Sequence, residues 1–133
     1  MDDCVFCKIV SNQIPSSKIL ESDQAYAFLD ISPATPYHAL VIPKRHYADI
    51  FDIPAGELTA VTGLAKQVAD LYAKKLGIRN VQILSNSGAE AQQDVFHLHF
   101  HVVPRSAGDG QDIRWAHHPE MRERFGEMLG KLA

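Results

Sequence analysis

The sequence predicts an α+β domain, with an antiparallel sheet and helices packed on it, and three observations carry that prediction. Short apolar runs bounded by turn residues fill residues 18–42. A single long amphipathic stripe covers residues 54–76, and short apolar runs return between residues 81 and 103. No linker or internal repeat separates these runs, and 133 residues is near the usual size of one compact unit.

Each element follows in order. Phe6–Ser11 reads as a short helical turn, ended by Gln13-Ile14-Pro15. Strands at Lys18–Glu21 and Ala25–Leu29 flank the turn residues Ser22-Asp23. Pro33 and Pro36 make Asp30–Pro36 a loop, and His38–Ile42 is a strand closed by Pro43. The long helix starts at Pro54. Its apolar face is Leu58, Val61, Leu64, Ala65, Val68, Leu71, Tyr72 and Leu76, and Gly77 supplies the stop. A strand at Val81–Ser85, a loop over Asn86–Gln93 and a strand at Val95–Val103 complete the set, with the helices expected on one face of the sheet. Ser106-Ala107-Gly108-Asp109-Gly110 reads as a flexible joint. The expected organisation is therefore a domain over residues 1–108 and a C-terminal helical extension over 109–133. A helix over Pro119–Lys131 and an anchoring Trp115 belong to that extension.

Composition narrows the function classes. With 8 Gly and 7 Pro among 133 residues, collagen-like and low-complexity readings fall away. Basic residues number 13 against 16 acidic ones, and the longest basic runs are Lys74-Lys75 and Lys44-Arg45-His46, so no nucleic-acid stripe is expected. No apolar stretch approaches the ~20 residues of a membrane helix. The start, MDDCVFCKIV, lacks the apolar core of a signal peptide, and two cysteines make no disulfide framework. The expectation is a soluble cytoplasmic protein without membrane or nucleic-acid partners.

The informative run is Val95-Phe96-His97-Leu98-His99-Phe100-His101-Val102-Val103. In a strand, Phe96, Leu98, Phe100 and Val102 point to the core while His97, His99 and His101 stand in a row on the opposite face. Such a row can be a polar stripe or a metal-ligating face. It can also present an imidazole nucleophile, whose neutral form is available near pH 7. Cys4 and Cys7 form a C-x-x-C pair that reads as a redox dithiol, as two unrelated thiols, or as half of a structural zinc site lacking two ligands.

Taken with Phe6-Cys7-Lys8-Ile9-Val10, Ala27–Pro33, His38–His46 and Asn86-Ser87-Gly88, the run His97–Val103 resembles the histidine-triad (HIT) family, in its nucleotide-binding Hint-like branch. The family signature is His-φ-His-φ-His-φ-φ, φ being apolar, and the match covers roughly Cys4 to Arg105. The resemblance implies a HIT-like fold, a five-stranded antiparallel sheet with one long and one short helix. It implies a hydrolase or transferase that cleaves nucleoside monophosphate conjugates, AMP expected, at the α-phosphorus through a nucleotidyl-histidine intermediate on His99. A phosphoramidase or a dinucleoside polyphosphate hydrolase would both fit. His101 would bond a phosphate oxygen or the leaving group, and His38 would support the pocket.

For the nucleotide, the resemblance assigns Asp30 to the ribose hydroxyls and Phe28 and Ile31 to the base. Asn86 would meet the phosphate or leaving group, and Gln93 and Asp94 the developing charge. As plain loop residues, Asp30 would make an Asx turn and Asn86 would have no role. The resemblance also joins Cys4 and Cys7 to His46 and His97 around a structural Zn²⁺, requires no organic cofactor, and suggests a homodimer using the 54–76 helix and a sheet edge. The chain departs from the family pattern at Ala91-Gln92-Gln93-Asp94, with Gln92 in a Gly position and Asp94 where Ser or Thr is usual. Gln92 puts in question any turn there that needs positive φ. From other classes, the competing readings are a nucleotide-binding interaction protein with vestigial catalysis and a module using HxHxH as an open metal site.

Overall fold

The computed structural model describes residues 3–112 and 114–133; Met1, Asp2 and Ile113 lie outside the described residues. Its elements are α1 (Val5–Val10), β1 (Lys18–Glu21), β2 (Ala25–Leu29), β3 (Ala39–Pro43), α2 (Ala55–Leu76), β4 (Val81–Leu84), β5 (Phe100–Pro104) and α3 (Phe125–Gly130). The five strands form one antiparallel sheet in the order β1-β2-β3-β5-β4. None of the described helices is long and apolar enough to cross a membrane.

Strand alternation sorts the sheet into two faces. Ala25, Ala27, Ala39, Val41 and Val102 face α2, whose Val61, Leu64, Ala65, Val68 and Tyr72 are buried against them. Three alanines on that face let the helix approach closely. Pro54 caps α2 from just outside the helix, and Gly77 ends it in the left-handed region at φ 70°, as the stop signal predicts. Leu76, placed on the buried stripe by periodicity, lies in the last turn and is exposed.

The opposite face carries Tyr26, Phe28, Leu40 and Ile42, covered by Phe6 and Ile9 of α1. The expectation of helices on one face is therefore corrected: the short helix sits across the sheet from the long one. The reason is visible in β2 and β3, whose AYAFL and ALVIP are continuous apolar runs that demand cover on both sides.

The last strand starts later than its alternation suggests. Ladder pairing begins at Phe100, and Leu98 N–H instead donates to the Tyr47 carbonyl at 2.7 Å. Phe96, expected in the core, is consequently 52% exposed, while Leu98 and Val102 are buried. The segment read as a flexible joint is braced. Arg105 holds both Asp109 carboxylate oxygens at 2.8 and 3.1 Å and donates to Gln82 Oε1 and the Gln111 carbonyl. Asp109 also accepts the backbone N–H groups of Ser106 and Gln111. Beyond it, the expected Pro119–Lys131 helix is a 3₁₀ segment, Pro119–Arg124, followed by α3. Trp115 is 78% exposed and does not anchor the tail within the chain.

Candidate functional site

The triad histidines stand on the α1 face, and each ring has its tautomer set by a neighbouring group. His97 is fully buried, and its Nε2–H donates to the Pro43 carbonyl at 2.8 Å, since a carbonyl can only accept. The Nδ1 lone pair of His97 is thereby turned toward Cys4 Sγ at 3.3 Å and Cys7 Sγ at 3.5 Å. His99, 3% exposed, does the reverse: Nδ1–H donates to the His97 carbonyl at 2.8 Å, leaving Nε2 as its outward nitrogen.

His101 is set through His38. The Ala34 backbone N–H donates to His38 Nδ1 at 2.9 Å, so the proton of His38 resides on Nε2. That Nε2–H is directed at His101 Nδ1, 3.0 Å away, which leaves His101 carrying its own proton on Nε2. Burial pushes His101 down to about 4, helped by the neighbouring His99 and His38, and burial also lowers His38. Both rings are therefore neutral at pH 7, and the row presents the outward Nε2 of His99 beside an N–H donor at His101. The His99 and His101 ring centroids are 5.1 Å apart.

Around this pair, Phe6 packs edge-on to His97 and His99 with centroids 5.7 and 5.2 Å away. Ser85 Oγ–H donates to the His99 carbonyl at 2.7 Å, fixing the nucleophile candidate's backbone just before the ladder begins. Asp30 serves two positions. Its Oδ1 accepts the Ser32 N–H at 2.9 Å, making the Asx turn, and its Oδ2 lies 3.5 Å from His38 Nε2. Asp94 Oδ1 lies 3.4 Å from His99 Nε2. The contacts thus form a series, Asp30–His38–His101–His99–Asp94.

The remaining residues singled out by sequence are distributed unevenly. Asn86 is half-buried next to Ser85. Phe28 is buried against Phe6 in the core of this face, whereas Ile31 is 97% exposed beyond Asp30. Gln93 is buried and its carboxamide braces the loop: Nε2–H groups donate to the Ala48 and Val95 carbonyls and Oε1 accepts the Gly88 N–H. The turn that a Gln92 puts in question is present, with Gln92 itself at φ 72°. Sequence reasoning missed the groups that orient the rings, namely Ala34 N–H and the Pro43 and His97 carbonyls, and those that fix the backbone beneath them, the Tyr47 carbonyl and the Ser85 hydroxyl. Only Ser85 could have been found by side-chain chemistry.

Cys4, Cys7, His46 and His97 offer ligand atoms that all lie within 4.8 Å of one another. Cys7 Sγ is 3.4 Å from His46 Nδ1. Tetrahedral zinc, with Zn–S and Zn–N bonds of about 2.3 and 2.0 Å, places S and N ligands about 3.5 Å apart, so the donor spacing fits. His97 is also pre-oriented, because its Nε2–H is held by Pro43. Cys4 caps α1, its sulfur accepting the Cys7 N–H at 3.4 Å. Burial and the adjacent Cys4 push the Cys7 thiol up to about 11, which a cation between the sulfurs would reverse. These four residues are placed to bind a metal.

The chain is 45% identical over 130 residues to adenosine 5'-monophosphoramidase HNT1 of Saccharomyces cerevisiae, covering 97% of this chain and 77% of the relative. The crystal structure of SMU.412c from Streptococcus mutans superposes with a TM-score of 0.92 at 39% identity, covering 99% of this chain and 84% of that one. A Zn-bound histidine triad family protein from Mycobacterium smegmatis matches with a TM-score of 0.79 at 34% identity, with 98% of each chain covered. The HIT domain model matches residues 11–108, a span that holds the whole histidine row and its supporting loop, and the chain belongs to the HIT domain family.

Proposed function

We propose that this protein is a nucleotide hydrolase or transferase that cleaves AMP-type nucleoside monophosphate conjugates at the α-phosphorus. The observation that carries the reading is the pair of oriented rings: His99, whose Nδ1–H is held by the His97 carbonyl so that Nε2 faces outward, beside His101, whose Nδ1 accepts from His38 so that its own N–H lies on Nε2. The yeast relative's name, an adenosine 5'-monophosphoramidase, supports the substrate class.

In this mechanism His99 Nε2 attacks phosphorus and the bond to the leaving group breaks, its electron pair departing with that group. His101 Nε2–H donates to a phosphate oxygen or to the leaving atom, and Asp30 accepts the ribose hydroxyls. Water then cleaves the labile N–P bond and AMP is released. Phe28, Ile31 and Asn86 flank the nucleotide, and Gln93 acts through the loop it braces. Residues 1–108 are the catalytic domain in this reading. The 54–76 helix and a sheet edge serve a homodimer in the same reading, and the exposed Ile83 on β4 supports that edge.

The metal at Cys4, Cys7, His46 and His97 is read as structural zinc. A Cys₂His₂ shell is closed, so the ion would tie α1 to the triad segment without activating water.

The test is AMP release from adenosine 5'-phosphoramidate and from a diadenosine polyphosphate, by wild type and His99→Ala. Wild type is expected to release AMP, with at least a ~10⁴-fold loss in the variant while its fold survives. Tight AMP binding without release from either compound would favour the interaction-protein reading instead.

A further inference from the structure

Asp94 stands where the family pattern often has a hydroxyl, and the structure sets that carboxylate beside the outward nitrogen of His99. Its side chain is 77% exposed, yet it is not free: Oδ1 accepts the Val95 N–H at 2.9 Å, and the same oxygen lies 3.4 Å from His99 Nε2. The charge is therefore held at the outward nitrogen of the buried imidazole. Asp94 also lines a groove of about 460 Å³ together with Asp3, Cys4, His46 and Phe96, and among the described residues lining it there is no Lys or Arg. In the series of contacts, Asp30 stands at one end and this groove opens at the other.

We propose that Asp94 is a specificity-determining residue that selects the leaving group by charge, favouring conjugates whose leaving amine carries a second, protonated amine and disfavouring anionic leaving groups such as polyphosphates. The inference rests on the hydrolase reading above and names the substrate class of that site. With ribose held at the Asp30 end, the leaving group of an α-phosphorus bound at His99 emerges toward Asp94 and the groove. A cation there meets Asp94 and Asp3. A phosphate or carboxylate meets like charge in a partly desolvated setting, where the interaction is larger than in bulk water. Chemically the step is unchanged: the N–P bond to His99 forms, the P–N bond breaks, and the amine leaves with the electron pair and takes a proton, from His101 Nε2–H where that group meets the leaving atom and otherwise from solvent.

The experiment uses three adenosine 5'-phosphoramidates of nearly equal length that differ in charge, made from 1,3-diaminopropane, propylamine and β-alanine. We expect kcat/KM to fall in that order, with at least tenfold between the cationic and anionic compounds at low salt and a smaller ratio at high salt. Asp94→Asn keeps an acceptor for the Val95 N–H and removes the charge; it should compress the ratio to under threefold, and Asp94→Ser should do the same. A common loss on all three substrates would mark Asp94 as merely structural and overturn the proposal. So would an unchanged ratio in Asp94→Asn, or equal turnover of the charged compounds by wild type. Failure of wild type to cleave even the propylamine compound would instead sink the hydrolase reading, and this inference with it.

Discussion

The two faces of the sheet share the same strands but are held by different physics. Under α2, contacts are apolar and non-directional: Ala25, Ala27, Ala39 and Val41 meet Val61, Leu64, Ala65 and Val68. Under α1, the cluster of Phe6, Tyr26, Phe28, Leu40 and Ile42 shares its face with the buried polar groups His38, His97 and His99, and Phe6 packs edge-on against the last two. Among the described residues no buried side-chain nitrogen or oxygen lacks a hydrogen-bond partner. The first face contributes free energy roughly in proportion to area; the second spends part of its interior on orienting rings. Stability concentrated on one face allows the other to hold groups aimed at a ligand.

The sharpest way to break that contrast is to remove the metal. A ligand bound only to the folded state contributes about 4 kcal/mol when free metal exceeds its Kd a thousandfold, and zinc at Cys4, Cys7, His46 and His97 would add that contribution on the α1 face. Cys4→Ser with Cys7→Ser, or a strong chelator, should lower the denaturant midpoint accordingly and abolish stoichiometric zinc by elemental analysis. Activity should fall in step with the loosening, because the His97 carbonyl that orients His99 belongs to the same segment. Full stability and full activity in metal-free protein would rule out a structural zinc. Loss of activity at unchanged stability would point to the open HxHxH metal site.

How far each face is legible in the sequence follows from the same difference. The stripe from Val61 to Tyr72 and the stop at Gly77 needed only period and composition, and the structure keeps both. The row His97, His99, His101 is likewise readable from alternation, and so is the C-x-x-C pair with His46 once the family pattern is applied. The orienting groups are not readable. Whether Ala34 N–H reaches His38 Nδ1 depends on the path of a loop with Pro33 and Pro36, and the Pro43 carbonyl depends on where β3 ends. Backbone donors carry no residue signature. The misplacement of Phe96 has a related origin: alternation predicts faces but not where a ladder starts, and Leu98 pairs with Tyr47 rather than with a strand. The cover on both faces was signalled by the unbroken apolar runs of β2 and β3, but amphipathic helix counting alone passes over it.

The α2 face is tested by Leu64→Ala. Leu64 is buried at the centre of that cluster, and truncation should cost about 3 kcal/mol by loss of transfer free energy and an unfilled cavity. AMP release per folded molecule should stay within about twofold, since no ring-orienting bond runs through Leu64. A large drop in kcat in protein that is still fully folded would show that the two faces are coupled.

The smallest effect is the most specific to the histidine face. His101 is held near 4 by burial, and then by His99 and His38, against 6.5 for an ordinary imidazole; Asp30 and Asp94 oppose that shift. A depressed folded-state value means that the unfolded chain binds the extra proton more readily. The stability due to a neutral His101 is thus complete above pH 6.5 and is lost as pH falls toward about 4. His101→Asn keeps an acceptor for His38 Nε2–H but cannot take up that proton in this range. Compared metal-free, so that proton-coupled metal release adds nothing, wild type should lose on the order of 1 kcal/mol more than His101→Asn across this interval. Leu64→Ala should keep the wild-type slope while lying lower at every pH. Coincident slopes for wild type and His101→Asn would mean that His101 is not held neutral, and the tautomer assigned to it through His38 would fall.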